Sequence, residues 1–300
     1  MRFSPDPEQL DFARALRGML ASADVPATVR AWAAGDVAPG RKLWARLAEM
    51  GVAELAADPV GLVLAFEELG RAAVPGPYVE SMASLPPLLP DVDAEVMATL
   101  AMPPHVPFAV DGAVADAVYL VEGNQLWTAS VVATRASVDR ARLLAELTPV
   151  DAVAEVDPSV AFERGVLATA AQILGAGAAL LERAAGYAKQ RMQFGKPIGS
   201  FQAVKHQLAD AHVGLELARP LLFGAALALG SATAARDASA AKVACTDAAY
   251  RAARVALQVH GAIGYTAEYD LALWLTKVRA LTSAWGTQRL HRTRVLAAVR

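Results

Sequence analysis

Residues 187–202 have the sequence Tyr-Ala-Lys-Gln-Arg-Met-Gln-Phe-Gly-Lys-Pro-Ile-Gly-Ser-Phe-Gln, which places a cation and an aromatic ring at a break in the helical pattern. Arg191 precedes Phe194 by three residues, so at a helix end the guanidinium and the ring would lie on nearly one face. Gly195, Pro197 and Gly199 interrupt the pattern. The segment is predicted to be a loop between two helices, with a residue pair that grips a flat or anionic ligand.

Apolar residues recur at three- and four-residue steps on both sides of this loop, as expected for helices. We predict helices over residues 159–191, 200–230 and 235–260, and a last pair from residue 269 that is divided near Thr287. Their lengths and short connections are typical of an antiparallel bundle. The many alanines in these segments indicate close helix approach.

The first 90 residues also have helical spacing. Helices are predicted over residues 7–20, 41–50 and 60–69, with Gly51 and Gly70 as C-caps of the second and third. By itself the pattern of residues 67–71 is typical of an amphipathic surface helix that ends in a turn.

From about residue 90 to 157 the helical period is lost. Short runs rich in β-branched and aromatic residues predict strands at 106–110, 117–121 and 126–132, separated by turn signals at Asp111-Gly112 and Gly123-Asn124. The predicted fold is mainly α with a small β middle region. We divide it into an N-terminal helical domain (1–90), a reduced β domain (91–157) and a C-terminal four-helix-type bundle (158–300).

Composition restricts the classes of partner. The chain has 300 residues, of which 55% are hydrophobic, and its 28 basic and 30 acidic residues give a net charge of −2. This balance argues against a nucleic-acid partner. The longest apolar stretch, residues 213–230, contains Glu216, Arg219 and Pro220, so we predict no membrane span.

Cysteine and histidine usage points to no special chemistry. The single cysteine, Cys245, cannot form an internal disulfide and is predicted to be a buried hydrophobe. The N-terminal residues show no apolar run typical of a signal peptide, so a cytoplasmic location is expected. The five histidines lack metal-ligand spacing, and no metal site is predicted.

Three segments resemble, in family order, the motifs of the acyl-CoA dehydrogenase family, flavoenzymes that oxidise the Cα–Cβ bond of acyl thioesters. Residues 191–202 resemble the family signature. Residues 257–265, Leu-Gln-Val-His-Gly-Ala-Ile-Gly-Tyr, resemble its Gln-x-x-Gly-Gly-x-Gly-Tyr/Phe stretch, with Ala262 at the second glycine. Residues 285–287, Trp-Gly-Thr, stand where the family usually has Glu-Gly-Thr.

The resemblance implies an FAD whose diphosphate and adenine end is contacted by a neighbouring subunit. Arginine suits a phosphate, and a glycine lets backbone N–H groups approach one. The implied cofactor-binding residues are Arg191, Phe194, Gln202, Gln258, Val259, His260, Gly261, Ala262 and Thr287.

The carboxylate that removes the Cα proton is missing from the expected place. Trp285 occupies its position, and an indole has no proton acceptor. Some family members carry the base at the start of the long helix, where the family spacing leads to Gly165. Glu163 lies two residues away, about 200° around the helix, and is expected to be a solvated first-turn residue. Glu268 and Asp270 are expected at the surface, and the catalytic residue is left unknown.

A reduced β domain and a missing base, combined with intact cofactor motifs, suggest a short subunit of a heteromeric acyl-CoA dehydrogenase. The chain resembles the paired α2β2 acyl-CoA dehydrogenase-like proteins of actinobacteria, which act on bulky thioesters such as steroid side chains. The implied partners are a full-length acyl-CoA dehydrogenase-like subunit, an acyl-CoA substrate and an electron-transfer acceptor, with FAD shared between subunits. Two alternatives stay open: a non-catalytic homo-oligomeric binding or scaffold protein, and a self-sufficient dehydrogenase that uses Glu163.

Overall fold

The structure is a computed structural model that describes residues 5–52, 55 and 58–300. Residues 1–4, on which the prediction of no signal peptide partly rests, lie outside this range. The described N-terminal region contains the helices α1 (Pro7–Ala21), α2 (Val25–Ala33), α3 (Ala38–Glu49) and α4 (Pro59–Arg71), followed by a π-helical segment, Val79–Ser84. The three predicted helices are confirmed. The nine-residue α2 was not predicted.

Helix α4 is a core element, which corrects the expectation of a surface helix, because all its residues from 61 to 70 are buried. Gly70 is also not a C-cap, since it lies inside the helix. A Cβ atom there would stand 1.9 Å from the backbone oxygen of Gln172, and one at Gly175 would stand 1.9 Å from that of Glu67. Glycine is therefore required where α4 meets the next long helix backbone to backbone.

The middle region forms a five-stranded sheet in the order β1-β3-β4-β5-β2. Its strands are β1 (Ala98–Ala101), β2 (Ala109–Val110), β3 (Ala117–Glu122), β4 (Gln125–Ala136) and β5 (Leu143–Glu155). β1 is parallel to β3, and the other pairs are antiparallel. The predicted strands 117–121 and 126–132 are confirmed. The strand predicted at 106–110 is confirmed only for its last two residues, and β1 and β5 were not predicted.

The C-terminal region is a helical bundle, as predicted. It consists of α5 (Pro158–Gln190), α6 (Gln202–Ala228), α7 (Ala234–His260), α8 (Leu271–Leu281) and α9 (Gln288–Ala298), and a short strand pair, β6 (Met192–Gln193) and β7 (Lys196–Pro197), joins α5 to α6. α5 packs against α4, α6, α7 and α8. It is the one described helix long and apolar enough to cross a membrane, yet 94% of its apolar window is buried within the protein, as is typical of a core helix.

Close helix approach is confirmed at the contact between α5 and α7. A Cβ atom at Gly177 would lie 2.7 Å from the Cα atom of Ala249. Cys245 is buried, as predicted, and burial raises the pKa of its thiol to about 12. Together with the sheet, these helices confirm a mainly α fold with a small β region. The exact domain bounds stay a prediction.

We expect Gly175→Ala to destabilise the protein, because the new methyl group would overlap the carbonyl of Glu67 and force α4 and α5 apart. Overpacking of this kind costs about 1–3 kcal/mol. Gly186→Ala is the matched control, since nothing lies within 4 Å of its Cβ position on the same helix; it should stabilise by about 0.5–1 kcal/mol. Chemical denaturation measures both, and equal stability of the two variants would contradict the backbone contact.

Candidate functional site

Arg191 and Phe194 do not share a helix face, which corrects the sequence prediction. α5 ends at Gln190, Arg191 is extended, and β6 pairs with β7 in a two-residue hairpin. Phe194 and Gly195 form its turn with φ of 51° and 77°, as a tight hairpin turn requires. Phe194 is 90% exposed, and its ring contacts Phe201 edge-on at 6.1 Å, directly before Gln202.

The Arg191 guanidinium is exposed at this hairpin. The backbone N–H of Arg191 donates to Tyr187 O at 2.8 Å, and its carbonyl accepts from Ile198 N at 2.8 Å. Within the described residues, its side chain forms no hydrogen bond or ion pair. The backbone is therefore fixed while the charge is available to a ligand from outside the chain.

The second motif lies at the same end of the bundle. Gln258, Val259 and His260 form the last turn of α7, and Gly261 and Ala262 begin a short 3₁₀ helix (Gly261–Tyr265). The His260 ring stacks on Tyr187 in the last turn of α5, with 4.4 Å between ring centroids. This contact brings the two motifs together.

His260 itself faces the interior. It is buried, its Nδ1 lies 2.8 Å from Ala256 O, and burial lowers the pKa of its imidazole below the ordinary value. Gly261 has φ +65°, and no atom lies within 4 Å of the place where a Cβ would stand. In this part of the motif, the backbone of Gly261 is therefore accessible to a ligand, whereas the side chain of His260 is not.

Thr287 lies apart from these residues. Its hydroxyl accepts from Leu290 N at 3.2 Å and caps α9, and it borders a cavity of about 630 Å³ together with Trp285. Trp285 packs on Gly165, which precedes Arg191 by 26 residues of α5, or about 40 Å along the helix axis. The predicted cofactor residues are thus divided between two ends of the bundle.

Trp285 is fixed from several sides. Its side chain is 2% exposed, its Nε1–H donates to Glu80 Oε1 at 3.1 Å, and its carbonyl oxygen lies 2.9 Å from His291 Nε2. A Cβ atom at Gly165 would stand 2.2 Å from the indole ring. The two positions where the family carries its base are therefore in contact, and neither holds a carboxylate.

Glu163 is not solvated, contrary to the sequence expectation. It is buried and forms an ion pair with Arg294, whose Nη1 also donates to Ser239 Oγ at 3.0 Å. Ser239 Oγ lies 3.1 Å from His291 Nδ1. The Glu163 carboxylate therefore belongs to a buried network that ends at the carbonyl of Trp285.

The other acidic candidates lie at the surface, as predicted. Glu268 is exposed, and Asp270 forms a half-exposed ion pair with Arg30 at 2.6 Å. Within residues 5–52, 55 and 58–300, no group of His, Cys, Asp and Glu side chains could hold a metal ion.

Sequence reasoning missed Glu80, a carboxylate that contacts Trp285. It comes from the π-helical segment, 205 residues earlier in the chain. No motif surrounds it. The only available signal was a charged residue inside the largely apolar segment Tyr-Val-Glu-Ser-Met-Ala.

A family profile and a similar protein both relate the chain to acyl-CoA dehydrogenases. The family profile "Acyl-CoA dehydrogenase, C-terminal domain" matches residues 158–299. The chain is 32% identical over 298 residues to "Acyl-CoA dehydrogenase IpdE2" of Mycobacterium tuberculosis, covering 91% of this chain and 92% of that protein.

Solved structures show the same fold. A chain of the ChsE4-ChsE5 complex from Mycobacterium tuberculosis superposes with a TM-score of 0.83 at 21% identity, covering 100% of this chain and 99% of that one. A chain of the Tcur3481-Tcur3483 steroid ACAD G363A variant gives 0.83 at 21% identity, with 97% of each chain covered.

We expect Gly165→Ala to destabilise the protein by about 1–3 kcal/mol, because its methyl group would overlap the Trp285 ring. In the background of Trp285→Leu, the same change should cost much less. A double-mutant cycle by chemical denaturation measures the coupling between the two positions. Additive effects would show that the ring does not press on Gly165.

The buried His291 predicts a pH dependence. Burial lowers its pKa to about 4, and Lys242, Arg294 and His105 act in the same direction. Because the unfolded chain binds this proton near pH 6.5, the folded state should lose about 3 kcal/mol as the pH falls from 6.5 to 4.

The measurement compares the free energy of unfolding of wild type and His291→Gln at several pH values. The advantage of wild type should shrink as the pH falls through this window. His206→Gln, at an exposed histidine, is the control and should leave the pH profile unchanged. Parallel profiles for wild type and His291→Gln would rule out this titration.

Proposed function

Because the chain belongs to the acyl-CoA dehydrogenase family, we propose that it is one subunit of a heteromeric, FAD-dependent acyl-CoA dehydrogenase. The complex would oxidise the Cα–Cβ bond of an acyl-CoA thioester. The proposal rests on one observation. Trp285 and Gly165 occupy the two positions where the family places its base, and they pack against each other. A full-length partner subunit would supply the carboxylate.

The reaction needs a hydride acceptor, a proton acceptor and polarisation of the thioester carbonyl. The indole of Trp285 is a hydrogen-bond donor only, and its N–H is already engaged by Glu80. Glu163 is held by Arg294. Neither residue suits the role of base, which favours a base from outside the chain.

The hairpin end of the bundle fits the diphosphate and adenine end of FAD. Arg191 offers a guanidinium that is exposed and free of partners among the described residues, and charge-assisted hydrogen bonds from such a group hold phosphate well. Gly261 offers open backbone beside it. Phe194 in the hairpin turn and Gln202 at the start of α6 are both exposed. The Phe194 ring would pack on the cofactor, and the Gln202 side chain would hydrogen-bond it. When bound, FAD would supply the hydride acceptor.

The distance between the two groups of residues supports a shared cofactor. Thr287 follows Trp285 by two residues, and Trp285 packs on Gly165, about 40 Å along α5 from Arg191; this is farther than one dinucleotide extends. Residues of the hairpin end would therefore hold a cofactor whose ring lies in the partner. Thr287 borders this chain's own cavity instead.

The names of similar proteins support a heteromer. The ChsE4-ChsE5 structure is described as a complex, and the Tcur3481-Tcur3483 structure, which also carries two protein names, is described as a steroid ACAD. We extend this by proposing a bulky substrate, such as a steroid side-chain thioester. The proposed complex works in the cytoplasm and passes its electrons to an electron-transfer acceptor.

The second candidate is a homo-oligomeric, non-catalytic protein of this fold that binds or scaffolds acyl-CoA. The buried indole at the base position fits this candidate as well, whereas the exposed Arg191 and the open backbone at Gly261 favour the heteromer. Native mass and visible spectrum separate the candidates. The heteromer predicts that FAD is retained when the chain is produced with its full-length partner and is not retained by the chain alone. Stoichiometric FAD in a stable homo-oligomer would overturn the proposal.

Within the complex, Arg191→Ala should weaken FAD binding. Loss of one charge-assisted hydrogen bond costs about 1.5–3 kcal/mol, which corresponds to roughly 10- to 150-fold in Kd. Lys189→Ala removes an exposed positive charge two residues earlier and is the matched control. Gly261→Val is a poor test, since the positive φ at Gly261 strains any side chain.

FAD affinity is measured by titrating the apo complex and following flavin fluorescence. Wild-type affinity in Arg191→Ala would show that the hairpin does not contact the cofactor. Equal losses in both variants would indicate a general effect of charge rather than a contact.

A further inference from the structure

A second cavity lies where the N-terminal helices meet the bundle. Its volume is about 530 Å³, which is within the range of small-molecule sites. Residues of α1, α2, α4, α5 and α8 line it, among them Arg17, Arg71 and Arg183. None of the described residues that line it borders the cavity beside Trp285 or belongs to the motifs at 191–202 and 257–265. This arginine cavity is therefore separate from both sites described above.

The guanidinium of Arg183 is held in place without an anionic partner. Its Cζ lies over the Trp274 ring, 3.7 Å from the ring centroid. The ring is fixed, because Trp274 is 1% exposed and its Nε1–H donates to Arg71 O at 2.8 Å. In the part of the chain that the structure describes, the Arg183 side chain forms no hydrogen bond or ion pair. A cation–π contact covers one face of a guanidinium and leaves its N–H donors available at the edge.

Arg71 brings a second guanidinium to the same cavity. Its Nη1 donates to Glu182 Oε1 at 2.6 Å, and the Glu182 side chain is 67% exposed. An ion pair with an exposed partner is weak, so an incoming anion can compete with it. The cavity is therefore bordered by one guanidinium that is free among the described residues and by another that is weakly engaged.

The charges that line the cavity do not balance. Three are positive, on Arg17, Arg71 and Arg183, and two are negative, on Asp24 and Glu68. Glu68 accepts hydrogen bonds from Arg17 at 2.8 and 2.6 Å, so these two charges compensate each other. The Asp24 carboxylate is engaged as the N-cap of α2. The excess positive charge is therefore at Arg71 and Arg183.

Loss of hydration makes an anion favourable beside Arg183. Partial burial lowers the pKa of its guanidinium, although the negative charges of Asp270 and Glu182 act in the opposite direction. Removing a charged group from water is costly unless an opposite charge or new hydrogen bonds replace the water. An oxyanion would supply both the charge and the hydrogen-bond acceptors.

Much of the remaining lining is apolar. Leu20 and Ala21 of α1, Val25 and Pro26 of α2, and Ala72 directly after α4 contribute to it. Apolar surface of this kind favours a ligand that buries a small hydrocarbon body over a bare inorganic ion. The lining therefore matches an organic molecule that carries one acidic group.

We propose that the arginine cavity binds a small organic oxyanion, a carboxylate or a phosphate ester, through Arg183 and Arg71. The hydrocarbon part of the ligand packs on the apolar lining around Leu20 and Val25. The inference goes beyond the proposed function, because it involves no FAD, no thioester and no partner subunit. Failure of the FAD experiment would leave it standing, and its own failure would leave the shared-cofactor proposal standing.

The test uses three probes of similar shape: benzoate, its neutral analogue benzamide, and phenyl phosphate. Each is titrated calorimetrically into the full chain in a low-salt buffer without phosphate. We expect benzoate, phenyl phosphate or both to bind at least about 10-fold more tightly than benzamide, because hydrogen bonds between charged groups are the strong ones. The tighter of the two anions identifies the acidic group of the ligand.

Variants assign the anion preference to this cavity. In Arg183→Ala, the two anions should bind no better than benzamide. Glu182→Gln removes the carboxylate that competes for Arg71 and should strengthen the binding of the anions by about 2- to 5-fold. Arg251→Ala, at an exposed arginine of α7 outside the cavity, is the control for net charge and should bind like wild type.

No binding of any probe, or equal affinity for all three, would overturn the proposal. So would an anion preference that survives in Arg183→Ala, or one that is lost to the same extent in Arg251→Ala. Arg183→Gln removes the same charge with a smaller change in side-chain volume, so it decides the question if Arg183→Ala does not fold.

Discussion

The absence of side chains at three points of α5 is the constraint on which the rest of the structure depends. Gly165 is covered by the Trp285 ring, Gly175 by the carbonyl of Glu67, and Gly177 by the backbone of Ala249. Each contact brings a different part of the chain onto the same helix. Because seventeen consecutive residues of α5, 161–177, are buried, this helix fixes α4, α7 and the segment before α9 relative to one another. The length of α5 sets the distance between the cavity beside Trp285 and the hairpin end of the bundle.

Ion pairs with buried carboxylates add direction to this packing. Glu67 pairs with Arg219 of α6 at 2.5 Å, Glu68 with Arg17 of α1 at 2.6 Å, and Lys277 of α8 with Asp139 before β5 at 3.0 Å. In the pair of Lys277 and Asp139, where both side chains are buried, the gain is largely offset by desolvation, whereas loss of one partner costs about 3–5 kcal/mol. We therefore assign these pairs a role in orientation: alternative packings of N-terminal helices, sheet and bundle would leave charges unpaired.

The sequence predicted the bundle well but missed β5, the packing role of Gly70 and the contact of Glu80 with Trp285, for physical reasons. Helices α5 to α7 are long, so their apolar residues repeat at helical spacing often enough to be recognised in the sequence. β5 is mostly exposed, with alanines and a proline in place of alternating β-branched residues, so its pattern carried no strand signal. Gly70 was misassigned because a glycine needed for close packing and a glycine that ends a helix look alike in sequence. Glu80 lies far in sequence from everything it contacts, so only the fold reveals it.

The surrounding structure accommodates the indole of Trp285. Position 285 therefore differs from the family pattern by more than the absence of a carboxylate. Gly165 leaves room for the ring, Glu80 accepts its N–H, and His291 engages the carbonyl of a residue held at φ +55°. These residues come from separate elements, and Gly165 and Glu80 would each lose a partner if the indole were removed. A glutamate at 285 would leave a void on Gly165 and would place a second carboxyl group beside Glu80, where two like charges in a buried site cannot both ionise. The single change Trp285→Glu would thus give a carboxyl group that is neutral or displaced. The neighbouring residues therefore fit an indole at this position and do not fit a carboxylate.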